Sequence, residues 1–257
     1  MHLKSKDQAK IYTSGFILLV LTVYLFPIFK IAVLAISRNS DSPWGWVTEL
    51  LHNSKYSSAL FYSLIVGVSS AIGSTILAFY FALNFYFRKY IWTGLFLLIA
   101  LLAIPPVTQA LSIKYLIIYL LHIRSSPLAG LIFAHISAAL PLCTVIVFSG
   151  LSGIERNCIL AAGDLGGSPS GIIFRIIIPL IKRHLLNALL LGFLISLNEF
   201  SRSFYLNGGN ELISTIIFSN INSGIQSPLY ALILINVILG VILLGSMFPL
   251  NALRRRS

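Results

Sequence analysis

Serine and histidine side chains that could do covalent chemistry come close to a catalytic pattern at one place in the chain. Residues 150–153 read G-L-S-G, which imitates the G-x-S-G sequence of intramembrane serine proteases. That chemistry needs a histidine facing the serine from a later segment. The only later histidine, His184, stands in a polar gap beside Lys182 and Arg183. The pattern therefore does not predict a protease.

Metal-binding and nucleotide-binding patterns are missing from the sequence. His52, His122 and His135 are scattered, and neither Cys143 nor Cys158 has the paired spacing of a zinc or redox site. The chain also has no G-x-x-x-x-G-K-[ST] phosphate-binding loop. We expect this chain to bind no metal and no cofactor.

Four polar side chains interrupt otherwise apolar stretches and are candidates for lining a solute path: Gln109, Ser196, Asn198 and Glu199. An ionisable residue within a membrane span is by default suspected of function. Each of the four could instead bond a neighbouring helix, and Glu199 could lie at the water interface. The sequence leaves these alternatives open.

Membrane-spanning helices must position these side chains. The 257 residues are 57% hydrophobic and 10% charged, against roughly 25% charged in soluble domains. A helical span needs about 20 mostly apolar residues. Six stretches meet this requirement and predict a single all-α integral membrane domain over 1–257. They are Ser14–Ile36, Tyr62–Phe85, Ile91–Leu121, Pro127–Leu151, His184–Leu206 and Leu229–Leu250. Pro105 and Pro106 are expected to kink or break the third.

The charges predict an orientation, because cytoplasmic loops carry an excess of Lys and Arg. The formal net charge is +11, but the basic residues fall in polar gaps between the apolar runs, which argues against nucleic-acid binding. We expect six spans in a bacterial inner membrane with both termini cytoplasmic. The basic residues assigned to the cytoplasmic side are Lys4, Lys6, Lys10, Arg88, Lys89, Arg156, Arg175, Lys182, Arg183 and Arg254 to Arg256, against Arg38, Lys55, Arg124 and Arg202 outside.

The gap between the fourth and fifth spans, residues 155–181, has helical content of its own. Gly166 and Gly167 can end a first short helix, and Ser168 followed by Pro169 is a start signal for a second. The pattern predicts a cytoplasmic helix-turn-helix whose second helix lies against the membrane domain.

This loop resembles the signature of binding-protein-dependent ABC importer permeases: Glu-Ala-Ala, three residues, Gly, nine residues, Ile, one residue, Leu-Pro. Ala161, Ala162, Gly166, Ile176 and Pro179 stand at the required offsets. Leu160 replaces the family glutamate and Ile178 replaces the leucine. The resemblance covers about 62–250 as the permease core, and implies a six-span fold of the type I importer class. The ATPase-docking residues that it implies are Glu155, Leu160, Ala161, Ala162, Gly163, Asp164, Gly166, Ile176 and Pro179.

The resemblance also implies partners. A soluble extracytoplasmic protein would deliver the solute, and a dimer of ATPase subunits, which bind ATP and Mg, would drive transport. A second permease, related or identical, would complete the path. The likeness is strongest to spermidine and putrescine permeases, whose Ser-Leu-Asp-Glu-Phe sequence corresponds to Ser196 to Phe200 here, with Asn198 replacing an acid.

Other solutes remain open, including ferric iron, thiamine and an aminophosphonate. A stand-alone channel or secondary transporter is an alternative of a different class. It would explain the spans but leave the loop motif unexplained.

Overall fold

The computed structural model describes residues 2–37, 45–87, 91–120, 127–221 and 227–252, and the regular structure in those ranges is helical. Helices suit a bilayer because they satisfy every backbone polar group within one segment. The helices are α1 (His2–Ser37), α2 (Gly45–His52), α3 (Ser54–Phe87), α4 (Ile91–Ala100), α5 (Pro106–Tyr115), α6 (Pro127–Ser152), α7 (Arg156–Asp164), α8 (Pro169–Ile172), α9 (Ile178–Asn198), α10 (Ser201–Leu206), α11 (Ile213–Ile221) and α12 (Ser227–Ala252).

Five continuous helical segments are long and apolar enough to cross a membrane. Within the described residues they are Ser14–Leu34, Ser54–Phe87, Leu128–Ser152, Pro169–Asn198 and Leu229–Met247. A sixth span is formed if the bent pair Thr93–Ala103 and Pro106–Tyr119 counts as one. The predicted all-α membrane fold is confirmed, with this bent pair as the predicted third span.

The third span is broken at the double proline, as the sequence predicts. Its two halves meet at 98°. A short 3-10 turn, Leu101–Ala103, ends the first half, and α5 starts at Pro106 after Pro105 has turned the backbone to ψ 135°. Proline is tolerated at a helix start because its missing N–H would have no partner there.

The predicted bounds of the fifth span, His184–Leu206, are wrong at both ends. One helical segment runs from Pro169 to Asn198, so the second helix of the predicted helix-turn-helix is the beginning of this span and not a separate surface helix. A π-helical stretch, Ile173–Ile177, precedes Pro179. This wider turn accommodates a proline that cannot donate a backbone hydrogen bond. Beyond Asn198 the backbone leaves the helix, and α10 is a separate short helix.

The centre of the molecule is the mutual packing of α3, α6 and α9. Small side chains on α3 make a close approach possible, as is common between membrane helices. A Cβ atom on Gly67 would lie 2.6 Å from the Phe193 ring. One on Gly192 would lie 2.8 Å from Ser74 Oγ and 3.3 Å from Ala71 Cα. Buried small residues on this face of α3 recur at four-residue spacing: Ser70, Ser74, Ala78 and Ala82.

The periphery is formed by α1 and α12, which pack on each other, while α12 also contacts α9. The described side chains of α1 are largely exposed and apolar, as expected for a lipid-facing helix. Several charges used to predict orientation lie outside the described residues. They are Arg38, Arg88, Lys89, Arg124 and Arg254 to Arg256.

Candidate functional site

The loop between α6 and α9 contains a glycine turn whose hydrogen bonds end α7. The Gly167 N–H donates to the Ala162 carbonyl at 2.9 Å, and the Gly166 N–H donates to the Gly163 carbonyl at 2.9 Å. These two bonds make a Schellman motif, which satisfies carbonyls at a helix end. Gly166 has φ +80°, a left-handed backbone that glycine adopts without strain. The predicted tight turn is therefore present.

The next helix begins where Ser168 and Pro169 predict it. The backbone N–H of Gly171 donates to Ser168 Oγ at 3.2 Å, and Pro169 is the first residue of α8. Serine capping of this kind satisfies a helix N-terminal donor.

The first helix of the loop is anchored to the membrane bundle by one apolar side chain. Ile159 is buried with Val147 and Leu151 of α6 and with Ile177 and Ile181 at the start of the fifth span. On the adjoining turn, the hydroxyl of Tyr86 in α3 donates to the Ile154 carbonyl at 3.2 Å. Both contacts fix α7 to the α3, α6 and α9 core, so that α7 and this core form one unit.

The rest of α7 is exposed or half-buried, with apolar and small residues between the charged residues at its two ends. Leu160 is 56% exposed, and Leu165, which follows Asp164 at the helix end, is 89% exposed. A Cβ atom on Gly163 or Gly166 would meet nothing within 4 Å. Contiguous apolar patches rimmed by polar residues are typical of interaction surfaces. The remaining motif residues of the loop are also exposed or half-buried: Glu155, Ala161, Ala162, Asp164, Ile176 and Pro179.

A second, buried polar cluster gathers three of the four candidate path residues. Gln109 lies just after the double proline, and its Nε2 donates to the carbonyls of Leu101 at 2.6 Å and Ile104 at 3.1 Å. Those carbonyls lie where the first half of the third span ends and the double proline interrupts the helix. Gln109 thus supplies hydrogen bonds at the break.

The break after α9 carries an ion pair. Arg202 Nη1 lies 2.5 Å from Glu199 Oε2, and the Arg202 backbone N–H donates to Glu199 Oε1 at 3.1 Å. Arg202 Nη2 donates to Gln109 Oε1 at 2.5 Å. Arg202 is only 5% exposed and the Glu199 side chain 13%. The buried Arg202 guanidinium needs these partners, because an unpaired charge in a protein interior is strongly destabilising.

His135 of α6 connects the cluster to two serines. Its Nδ1 shares a hydrogen bond with Ser196 Oγ at 2.6 Å, and its Nε2 shares one with Ser203 Oγ at 2.9 Å. Ser203 in turn donates to the carbonyl of Glu199. The cluster therefore spans α5, α6, α9 and α10.

The fourth candidate, Asn198, lies apart from this cluster. It is exposed, and its Oδ1 accepts a hydrogen bond of 3.3 Å from Asn236 Nδ2 of α12. Its own Nδ2 donates to the Leu194 carbonyl.

Residues 74–256 match the family described as the inner membrane component of binding-protein-dependent transport systems. The chain belongs to this family of permeases. It is accordingly a permease component of an ABC importer and not an enzyme, and it is an inner membrane component.

Curated relatives cover most of the permease. A spermidine/putrescine transport system permease protein PotC of Haemophilus influenzae is 29% identical over 205 residues, 78% of each chain. PotC of Escherichia coli is 26% identical over 234 residues, 86% of this chain and 88% of the relative. The putrescine permease PotI of Escherichia coli is 27% identical over 195 residues, 73% of this chain and 69% of the relative.

Solved transporters share the fold. The crystal structure of a bacterial ABC transporter for import of the acidic polysaccharide alginate matches with a TM-score of 0.67 at 14% identity, covering all of this permease and 99% of that chain. The alginate transporter bound to its pentasaccharide-loaded periplasmic protein gives 0.66 at 14% identity, with 98% and 96% covered.

The sequence does not predict the site roles of Arg202, His135, Ser203 and Gly167. Arg202 was assigned to an outer loop and His135 to the scattered histidines, although each is a polar residue within an apolar helical region, which is itself a signal of pairing. For Gly167 the sequence predicts only a helix end. Its Cβ would lie 2.6 Å from the Ala162 carbonyl oxygen, so a side chain there would disturb the turn directly.

The G-x-S-G sequence has no catalytic arrangement in the permease. Ser152 Oγ donates to the Phe148 carbonyl at 2.9 Å, a local helix bond. His184 packs against Gly150 instead.

Proposed function

We propose that the permease docks on a pair of ATPase subunits through the loop 155–179 and carries an amine-bearing solute across the inner membrane. The observation that carries the proposal is the geometry of this loop. It presents exposed small and apolar residues on a helix that Ile159 anchors in the bundle core. A rigid platform with a low-relief surface suits a groove on a partner.

The same geometry supports a route for coupling. The helical segment Pro169–Asn198 joins the loop to the buried cluster without interruption. Its 30 residues span roughly 45 Å at helical rise. A displacement of the loop by closing ATPases would therefore reach the far end of α9 as a rigid-body motion.

Family membership supports our proposal for the remaining partners. ATP and Mg would be held by the ATPase subunits, and this chain would hold neither. A second permease, a relative or another copy, would supply the other half of the path, and an extracytoplasmic binding protein would deliver the solute. Gln109 and Asn198 would face that path, because Asn198 is exposed and Gln109 borders a cavity.

The orientation proposed places both termini and the loop 155–179 in the cytoplasm. Glu155, Arg156, Asp164 and Arg175 on or beside the loop are exposed, as charged residues in water would be.

A polyamine is the solute class that we favour. The support is likeness to PotC and PotI, whose names assign them to spermidine and putrescine transport. Ferric iron, thiamine and an aminophosphonate are the alternatives. Asn198 stands where the polyamine permeases have an acid, so a solute with fewer positive charges would also be compatible.

Two measurements test the proposal. The permease is purified with and without the proteins encoded beside it, and an ATPase is expected to co-purify in the first case. The partner binding protein is then titrated with putrescine, spermidine, thiamine and ferric citrate. Tight binding of an amine supports the polyamine assignment, and selective binding of an anion or ferric complex would overturn it. A permease that transports solute with no ATPase present would contradict the docking role.

A further inference from the structure

The ion pair Glu199–Arg202 leaves little of the carboxylate available to a solute. Both carboxylate oxygens accept hydrogen bonds from Arg202, one from the backbone and one from the guanidinium. The Glu199 side chain is also 87% covered, since its exposed fraction is 13%. Each carboxylate oxygen keeps a second lone pair, but a cationic solute would have to reach it through the 13% of the side chain that is exposed. The negative charge is already paired with the Arg202 guanidinium.

The guanidinium extends the ion pair to a second helix break. Arg202 Nη2 donates to Gln109 Oε1, which leaves the amide nitrogen of Gln109 to donate to the carbonyls of Leu101 and Ile104. The hydrogen bond from Arg202 thus fixes which way the Gln109 amide faces. In this orientation the Gln109 amide nitrogen donates to the Leu101 and Ile104 carbonyls. The double proline supplies no backbone N–H groups to these carbonyls.

A cavity of about 230 Å³ lies beside this junction. Its walls include Leu101, Ile104, Ile113 and Phe133, with Gln109 among the polar residues at its edge. The two carbonyl-bearing residues that Gln109 holds are therefore wall residues of the cavity. The chain of contacts runs from Glu199 through Arg202 and Gln109 to this wall.

We propose that Glu199 and Arg202 are positioning residues of the permease, which orient Gln109 and through it the interrupted wall of this cavity, and that Glu199 does not contact the solute. The two helix interruptions, one after Ala103 and one after Asn198, then move as a single unit during transport. The inference rests on the permease role and not on which solute is carried.

A double-mutant cycle tests the proposal in the complete transporter. Glu199→Gln leaves a buried guanidinium uncompensated, and Arg202→Met leaves a buried carboxylate uncompensated, so each is expected to lower the maximal uptake rate by tenfold or more. The double variant removes both charges, so its melting temperature should recover toward that of the unsubstituted protein. It still lacks the donor to Gln109, so its maximal uptake rate should stay as low as that of Arg202→Met. The solute concentration at half-maximal uptake should stay unchanged throughout.

Gln109→Leu provides a second variant on the same chain of contacts. It should lower the maximal rate as Arg202→Met does, and the two substitutions combined should be no worse than the more damaging one. Ser149→Ala, on an exposed position of α6, is the control with unchanged uptake. Expression and the melting temperature in detergent are recorded for every variant.

The probe is radiolabelled putrescine. If the unsubstituted transporter carries none, the solute assignment fails, and the same cycle is read from ATP hydrolysis by the assembled complex in lipid nanodiscs. A double variant that recovered uptake to within threefold of the unsubstituted protein would overturn the positioning role, because it lacks the hydrogen bond from Arg202 to Gln109. So would Glu199→Gln raising the half-saturating concentration at an unchanged maximal rate, because that result identifies Glu199 as a solute ligand.

Discussion

At the scale of single residues, the glycines of the loop separate two effects that a substitution there could have. Gly166 has φ +80°, so any side chain strains the turn, at about 1–2 kcal/mol for a left-handed L-residue. Gly163 lies inside α7, and a Cβ there meets nothing within 4 Å. A bulky residue at Gly163 changes the outer surface and leaves the turn intact.

We predict that Gly163→Leu and Ala162→Arg abolish ATPase co-purification and solute uptake together while expression and melting temperature stay near normal. Gly166→Val should lose assembly as well, with a small loss of stability from backbone strain. The control is Gly245→Leu on α12, another helical glycine whose Cβ has no neighbour within 4 Å. Normal transport by Gly163→Leu, or failure only through degradation of the protein, would remove the docking role from this face.

Leu160 tests the chemistry of the partner surface. It is 56% exposed where related permeases have glutamate, and the charged residues nearest to it on α7, Arg156 and Asp164, stand one turn away on either side. We expect the matching ATPase groove to be apolar at this point. Leu160→Glu should then weaken ATPase binding by about 10- to 100-fold, because a desolvated carboxylate without a partner costs about 1–3 kcal/mol. Leu160→Met should bind normally. Tighter binding by Leu160→Glu would show that the ATPase has kept a basic group for the family glutamate.

At the scale of helices, the contact between α3 and α9 depends on small residues. We predict that Gly192→Ala lowers the stability of the permease in detergent by about 1–3 kcal/mol, since the added Cβ overpacks the interface at 2.8 Å from Ser74 Oγ and 3.3 Å from Ala71 Cα. Gly240→Ala is the matched control, because its Cβ would make an ordinary 3.5 Å contact with Leu194. Thermal unfolding followed by fluorescence measures both. Equal melting temperatures would contradict the close packing of α3 on α9.

The helices differ in how far the sequence predicts them. Pro105 and Pro106 predict the break in the third span, because proline interrupts a helix through local geometry. The break after Asn198 has no such signal. It depends on the pairing of Glu199 with Arg202 and on Gln109, 93 residues away from Arg202 in the chain. A long-range contact of this kind cannot be read from local spacing.

The sequence also predicts only part of the loop 155–179. Ser168, Pro169 and the glycine pair specify its turn locally, and the structure has that turn. The continuity of α8 with α9 was missed, because Pro179 and the basic pair Lys182 and Arg183 resemble a span boundary. The π-helical stretch Ile173–Ile177 keeps the helix continuous up to Pro179. Packing of Ile177 in the core stabilises this stretch.

At the scale of the whole molecule, orientation in the membrane decides whether the docking loop can meet an ATPase at all. The positive charges predict that both termini and the loop face the cytoplasm. The permease contains its own probe for this, because Cys158 at the start of α7 is exposed and Cys143 is buried. A thiol reagent that cannot cross the membrane should therefore modify Cys158 alone, from one side.

We predict that a membrane-impermeant maleimide labels Cys158 in inside-out vesicles and leaves it unlabelled in right-side-out vesicles. In a Cys158→Ser background, a cysteine at position 257 or 170 should be labelled from that same cytoplasmic side. A cysteine at Gly208, in the exposed turn between α10 and α11, should be labelled only from the opposite side. The turn lies beyond the far end of α9, so one continuous span separates it from Pro169. Labelling of positions 257 and 170 from different sides would require an odd number of spans between them and would contradict the six-span topology. Labelling of Cys158 from outside would invert the permease and place its docking loop where no ATP is available.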